Sequence, residues 1–270
     1  MKKFENMLLI SDIDGTLIGH SWEISKENIQ AATYFMENGG FFSYATGRQT
    51  HVAQKIIDQL KPNAPVICYN GAAIYDYLDK KYLWSAPLEN DIAHIITDIA
   101  ENCPNVNIEI NTADYIYVLK QSASSFPRYQ RLVPLFKIVD SVNEVPLPWL
   151  KIVFVMESDY MPVVRSYVES QPYYKDFQFG QSASFLYELL SFGINKGSAL
   201  PHLVKNLGHI NKTIAVGDNE NDIELLRAAD VGYAVADASP LLLSNFTNIA
   251  AAREDHVLAD IIERLDKNLI

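Results

Sequence analysis

Cysteine is nearly absent. Cys68 and Cys103 are the only two in 270 residues, too few for a disulfide framework. Both sit in apolar surroundings, so two free thiols in a reducing compartment are the plain reading and a single disulfide the alternative. Basic runs are missing too, in a chain whose formal net charge is −11. Nucleic-acid binding calls for a clustered basic face, which excludes that class of partner. An acidic protein that acts on an anion needs a local positive centre against its own field. The six histidines are scattered, with no Cys/His spacing suited to zinc. No apolar run approaches a membrane span. Met7 to Ile10 is followed at once by Ser11-Asp12-Ile13-Asp14, too short for the core of a secretory signal. Cytoplasmic residence is the expectation, and no repeat or low-complexity tract is visible.

What is present is an ordinary globular composition, 49% hydrophobic and 20% charged, enough for one large domain or two moderate ones. The first seventy or so residues alternate strand-like and helix-like segments. Met7 to Ser11 reads as a strand. Ser25 to Asn38 has helical spacing with Ser25 as N-cap, and Gly39-Gly40 ends it. Phe41 to Ala45 reads as a strand, Gln49 to Leu60 as a helix and Pro65 to Tyr69 as a third strand. This βαβαβ order predicts an α/β fold, a Rossmann-like parallel sheet with helices on both faces. The same rhythm resumes near the end: helix Lys196–Leu207, strand Lys212–Val216, helix Asn219–Ala228, strand Val231–Val235, then helices at Ser239–Ser244 and Asp255–Leu265.

The middle differs. Strand-like runs at Val106–Ile110, Tyr115–Leu119, Leu150–Met156, Phe177–Gly180 and Phe185–Leu189 interleave with helical stretches Asp91–Glu101 and Tyr160–Ser170. The expected division is a core of residues 1–81 and 191–270 interrupted by an α+β insertion at 82–190.

Four clusters carry chemistry, each where a strand ends or a helix begins, the edge at which open parallel sheets bind ligands. In Asp12-Ile13-Asp14-Gly15-Thr16, two carboxylates one residue apart enter a glycine turn. One can attack phosphorus while the other handles the leaving group's proton. A solvated Asp-Gly turn is the plain alternative. A calcium loop fails because Leu17 stands where glycine is needed. Ala45-Thr46-Gly47-Arg48 offers a hydroxyl and backbone N–H groups at a helix start, an anion site or simple capping. Asn195-Lys196-Gly197 places a lysine in a helix's first turn, against the dipole; a solvated surface lysine is the plain alternative to a cation aimed at a phosphate. Gly217-Asp218-Asn219-Glu220-Asn221-Asp222 gathers hard oxygen ligands suited to magnesium, with an acidic N-cap as the plain alternative. Ile223 and Ala229 exclude an EF-hand. Each cluster alone is ordinary, but four in this order at matching positions are not.

With these motifs the chain resembles the haloacid dehalogenase superfamily, specifically its Cof-type sugar-phosphatase branch, over nearly its whole length. The resemblance implies a Mg²⁺-dependent phosphatase that forms a phospho-aspartate, with Asp12 as nucleophile and Asp14 as general acid and then base. It implies Mg²⁺ between the Asp12 carboxylate, the Asp14 backbone carbonyl and Asp218, with Asp222 orienting its waters. Thr46, Gly47, Lys196, Asn221 and the Ile13 amide would hold the phosphoryl oxygens, and Arg48 would brace the loop. The inserted domain would be a cap that closes over a small phosphorylated substrate, a sugar phosphate being the expectation. Two departures stand out: Ala236-Asp237-Ala238 where Gly-Asn-Ala is usual, and Glu254-Asp255-His256-Val257 without the usual glycine. The cap is rich in tyrosine, including Tyr115, Tyr117, Tyr129, Tyr160, Tyr167, Tyr173, Tyr174 and Tyr187. Stacking on a sugar and packing within the sheet are the two readings. The functional alternatives are a phosphosugar mutase of the same superfamily and a non-catalytic phosphosugar-binding regulatory protein.

Overall fold

Leu8, Leu9, Ile10 and Ser11 of the first strand, β1 (Met7–Ser11), are all shut off from solvent. A strand covered on both faces belongs in the middle of a sheet flanked by two helical layers. The computed structural model, which describes residues 2–19, 21–88, 92–119 and 136–269, has this arrangement. β1 pairs in parallel with β2 (Phe41–Tyr44) on one side and β12 (Lys212–Gly217) on the other. β13 (Val231–Val235) and β14 (Ile249–Ala250) extend the sheet in the order β14-β13-β12-β1-β2, all parallel. Register sets Ser11 opposite both Val216 and Tyr44. The residues that follow these three strands therefore emerge at one edge.

The helices α1 (Lys26–Glu37) and α8 (Val257–Asp266) pack against each other, as do α5 (Lys196–Leu207) and α6 (Ile223–Ala228). Ser25 caps α1, its Oγ accepting from Asn28 N–H at 3.3 Å. The buried Asn28 side chain in turn accepts from the Leu258 and Ala259 N–H groups at the start of α8, satisfying donors that a helix end leaves orphaned. Helices α2 (Thr50–Ile57) and α7 (Pro240–Asn245) complete this region.

Two local expectations change. The third strand, β3 (Val66–Cys68), does not continue the parallel sheet as a full strand. A single parallel bridge joins Ala45 to Ile67, while β3 pairs antiparallel with β4 (Ala73–Asp76), which lies next to β5 (Lys81–Ser85). The cause is a left-handed turn through Tyr69, Asn70 and Gly71 that reverses the chain. The segment expected as one helix from Asn219 is a 3₁₀ turn, Glu220–Asp222, followed by α6.

By their contacts the residues form two compact units. The first comprises the chain up to Arg48, Ala53–Trp84 and the chain from Asn195; the second comprises Gln49–Val52 and Ser85–Ile194. The second unit contains β6 (Asn107–Asn111), β7 (Ile116–Leu119), β8 (Phe136–Val139), β9 (Lys151–Val155), β10 (Phe177–Ala183) and β11 (Leu186–Ser191), in the order β10-β11-β9-β6-β7-β8. Helices α3 (Ala93–Asn102) and α4 (Met161–Ser170) bury Ile95, Ile99, Val164 and Val168 in one cluster with Ile108, Phe154 and Leu189 of the sheet. Alternate residues carry a buried ion pair, Lys151 Nζ to Glu188 Oε1 at 3.0 Å. The tyrosines mostly pack: Tyr117 and Tyr187 belong to the apolar cluster, and Tyr160, Tyr167, Tyr173 and Tyr174 lie against it. Tyr129 and the expected helix start Asp91 fall outside the described residues.

Candidate active site

Asp12 is the first residue beyond β1, and its N–H still follows the sheet, donating to Val216 O at 2.9 Å. Its side chain is buried, at 6% exposure. Lys196 opens α5, whose N-cap Asn195 and Ser198 exchange side-chain and backbone hydrogen bonds. That capping fixes the first turn. The lysine's fully buried Nζ lies 2.6 Å from Asp12 Oδ1 and 2.6 Å from Asp222 Oδ1. Asp222 uses its other oxygen to accept from the Asp218 and Asn219 N–H groups at 3.0 and 3.1 Å. It thereby shapes the turn after β12. Asp218 accepts from Thr16 Oγ1 at 3.2 Å. Gly15, at φ +87°, lies so close that a Cβ would stand 2.2 Å from Asp218 Oδ2, so this turn admits only glycine. One oxygen each of Asp12, Asp218 and Asp222 falls within 4.8 Å of the others.

The remaining expected residues surround this cluster. Thr46 follows β2, is buried, and accepts from Arg48 N–H through Oγ1 at 3.1 Å. Among the described residues its own hydroxyl hydrogen has no acceptor and remains to be donated. Gly47 lies against Asn70, whose Oδ1 accepts from Asn221 Nδ2 at 3.1 Å. The Ile13 carbonyl accepts from Leu17 and Ile18 N–H groups. The Asp14 carboxylate stands apart from the cluster. Arg48 grips it with Nε to Oδ2 at 2.7 Å and Nη2 to Oδ1 at 2.6 Å. The guanidinium itself lies over the Trp22 ring, 4.0 Å from its centroid, a cation–π contact. Sequence reasoning missed Asn70 and Trp22, and gave Thr16 no role within the Asp12-Ile13-Asp14-Gly15-Thr16 cluster. Asn70-Gly71 was legible as a turn signal, but nothing local tied it to Asn221.

The electrostatics are one-sided. Burial pushes the Asp12 carboxyl well above the usual carboxylate range, Lys196 pulls it back, and Asp222, Asp218 and Asp14 push it up again. Asp218 is pushed up to about 7, by burial first and then by Asp222, against the pull of Lys196. For Lys196, burial acts to lower the pKa, but Asp12 and Asp222 outweigh it and raise it. The lysine stays charged, but with all three carboxylates ionised, the state in which they can bind a cation, one ammonium would leave two negative charges unbalanced. Asp12 Oδ2 is buried without a hydrogen-bond partner among the described residues. A divalent cation fits the excess of negative charge, and the all-oxygen donor set suits a hard one.

The sequence profile of the haloacid dehalogenase-like hydrolases matches residues 9–262. The chain belongs to this family. It is an enzyme, a hydrolase of the haloacid dehalogenase type. Among its relatives, the 5-amino-6-(5-phospho-D-ribitylamino)uracil phosphatase YcsE of Bacillus subtilis is 25% identical over 240 residues, covering 87% of this chain and 86% of that protein. A haloacid dehalogenase-like hydrolase from Bacteroides thetaiotaomicron superposes with a TM-score of 0.81 at 23% identity, covering 97% of this chain and 99% of the other. The subclass IIB sugar phosphatase BT4131 superposes with a TM-score of 0.79 at 17% identity, over 96% and 98% of the two chains. At those identities the structural likeness speaks for the fold, a haloacid dehalogenase core with an inserted cap. Among the described residues no helix is long and apolar enough to cross a membrane.

Proposed function

We propose that this hydrolase is a Mg²⁺-dependent phosphatase of a small phosphorylated metabolite, a sugar phosphate in the first instance, acting through a phospho-aspartate at Asp12. The observation that carries the reading is the Asp12 carboxylate. One of its oxygens is held by Lys196, while the other is buried and has no partner among the described residues. A carboxylate fixed by one oxygen presents the other as a nucleophile.

In the first half-reaction Asp12 Oδ2 attacks phosphorus, and the bond from phosphorus to the ester oxygen breaks. Asp14 gives its proton to the departing alkoxide. In the second, Asp14 takes a proton from water, the water oxygen attacks phosphorus, and the phosphorus–Asp12 bond breaks to release inorganic phosphate. Lys196, the Thr46 hydroxyl, the Ile13 and Gly47 amides and the Asn221 carboxamide stabilise the negative charge spread over the phosphoryl oxygens. Asp12, the Asp14 carbonyl and Asp218 would hold Mg²⁺, with Asp222 behind them. The ion supplies the positive charge that lets an anionic carboxylate meet an anionic phosphate.

The sugar-phosphate class draws support from the likeness to BT4131, while the YcsE relative acts on a phosphorylated ribityl compound. A phosphate ester on a polyhydroxylated carbon chain is the chemistry the two have in common. The test is phosphate release from a panel of sugar and polyol phosphates, with Mg²⁺ or chelator, for the native protein and Asp12→Asn. Turnover that needs Mg²⁺ and vanishes in Asp12→Asn is the expected result. Isomerisation of a phosphosugar without free phosphate would establish a mutase instead. Tight binding without turnover would point to a regulatory protein.

A further inference from the structure

Three consecutive residues after β3 have left-handed backbone: Tyr69 at φ 55°, Asn70 at 54° and Gly71 at 104°. Glycine adopts such angles freely and asparagine more readily than most, but a tyrosine does so only under constraint. Strain of this kind persists where the surroundings over-determine it, and it gathers at functional sites.

The constraints are visible. Tyr69 N–H donates to Arg48 O at 3.1 Å and Asn70 N–H to Thr46 O at 3.0 Å, fastening the segment to the Thr46–Arg48 loop. A Cβ on Gly71 would stand 2.1 Å from the carbonyl oxygen of Asn195, the cap of the helix that Lys196 opens. Asn70 is buried, 4% exposed as a residue, and its side chain sits between two loops. A Cβ on Gly47 would lie 3.0 Å from both its Oδ1 and its Nδ2. On the other side its Oδ1 accepts from Asn221 Nδ2 at 3.1 Å.

We propose that Asn70 is a positioning residue of the phosphate pocket. It fixes the Asn221 carboxamide against the Thr46–Gly47 loop, so that two anion-holding segments far apart in sequence keep one geometry. An amide nitrogen carries two hydrogens. With one given to Asn70, the other is held in a set direction, towards a phosphoryl oxygen. The strained backbone is the means: only a left-handed residue at this point directs a short side chain back across the loop. The kinetic consequence rests on the phosphatase reading above.

Asn70→Gly is the discriminating variant, because glycine keeps the left-handed backbone at lower strain and removes only the side chain. The protein is expected to stay folded with its Tm unchanged or raised. kcat/KM should fall about tenfold, the worth of one hydrogen bond. Asn221→Ala should lose a similar factor, and the double variant no more than the worse single one, since the two act as a unit. An Asn70→Gly enzyme within twofold of native, or losses that multiply in the double variant, would overturn the proposal. Should the native protein hydrolyse nothing, the phosphatase reading fails, but the Asn221 side-chain ¹⁵N–¹H signals still decide on Asn70. A shift in Asn70→Gly with loss of exchange protection supports the coupling, and unchanged signals refute it.

Discussion

Arg48 clasps Asp14 through two parallel hydrogen bonds, 2.7 Å from Nε and 2.6 Å from Nη2, while its guanidinium rests on Trp22. Such a fork fixes direction as well as distance, so the second carboxylate of the Asp12-Ile13-Asp14 turn is aimed without being part of the acidic cluster. The Arg48 side chain is only 10% exposed and Asp14 is 54% exposed: the arginine is the buried partner, and the carboxylate is the one that meets solvent. Arg48→Ala is expected to lower kcat roughly 10- to 100-fold by misplacing the acid–base group, and Arg48→Lys, which cannot form the fork, should recover only part. Steady-state kinetics check this. An Arg48→Ala enzyme with native kcat would show that Asp14 needs no such support.

Lys196 carries a different burden. It is fully buried between Asp12 and Asp222, so removing its charge leaves two buried carboxylates facing each other. Breaking a buried pair by deleting one partner costs about 3–5 kcal/mol. Lys196→Met is expected to destabilise the chelated protein by about that amount, and Mg²⁺ should recover part of the loss by supplying positive charge to the same carboxylates. Thermal or denaturant unfolding, with and without Mg²⁺, measures both effects. Equal stability of native and Lys196→Met in chelator would mean that the carboxylates carry no charge for the lysine to balance.

The parallel-sheet core was legible because its signals are local and repeated. β1, β2, β12 and β13 are short apolar runs that lead into Asp, Ala-Thr-Gly, Asp and Ala-Asp, and each lies within about two residues of its expected limits. The residues of the acidic cluster were legible for the same reason, since Asp12, Lys196, Asp218 and Asp222 directly follow strands or open a helix. What escaped notice depends on contacts across the sequence. Asn70 is meaningful only beside Asn221, and Trp22 only beneath Arg48. The Lys151–Glu188 pair lies on two neighbouring strands whose register no local pattern specifies. The β3–β4 reversal was missed because its backbone angles fall on a tyrosine as well as on Asn-Gly.

His256 answers the question raised by the missing glycine before the last helix. It takes the left-handed conformation itself, φ 66°, and its Nδ1 lies 3.0 Å from Ser25 Oγ, the cap of α1. The loop therefore keeps a glycine-like backbone with a histidine in place. His256→Gly should leave stability within about 1 kcal/mol of native, because relief of the backbone and loss of the contact oppose each other. His256→Val should cost about 1–2 kcal/mol, since a β-branched residue resists positive φ. Unfolding free energies test the pair, and a His256→Val protein as stable as native would show that the backbone there is free to change.

The acidic cluster should couple metal binding to protons. With no cation bound, burial and Asp222 raise Asp218 to about 7, so it holds a proton at mildly acidic pH that an unfolded chain would have released. The folded-state value lies above the unfolded one of 3.8. This stabilisation is therefore complete below about pH 4 and is lost as pH rises through about 7. A cation needs the ionised carboxylate and competes with that proton. Mg²⁺ affinity should thus strengthen as pH rises from 5.5 through about 7, with proton release on binding across that range. The stabilisation by a fixed Mg²⁺ concentration should be larger at pH 8 than at pH 5.5. Calorimetric titration in two buffers of different ionisation enthalpy counts the protons directly. Affinity that is flat across this range, with no proton released, would mean that Asp218 is already ionised in the free protein and that Lys196 offsets more of the buried charge than the geometry implies.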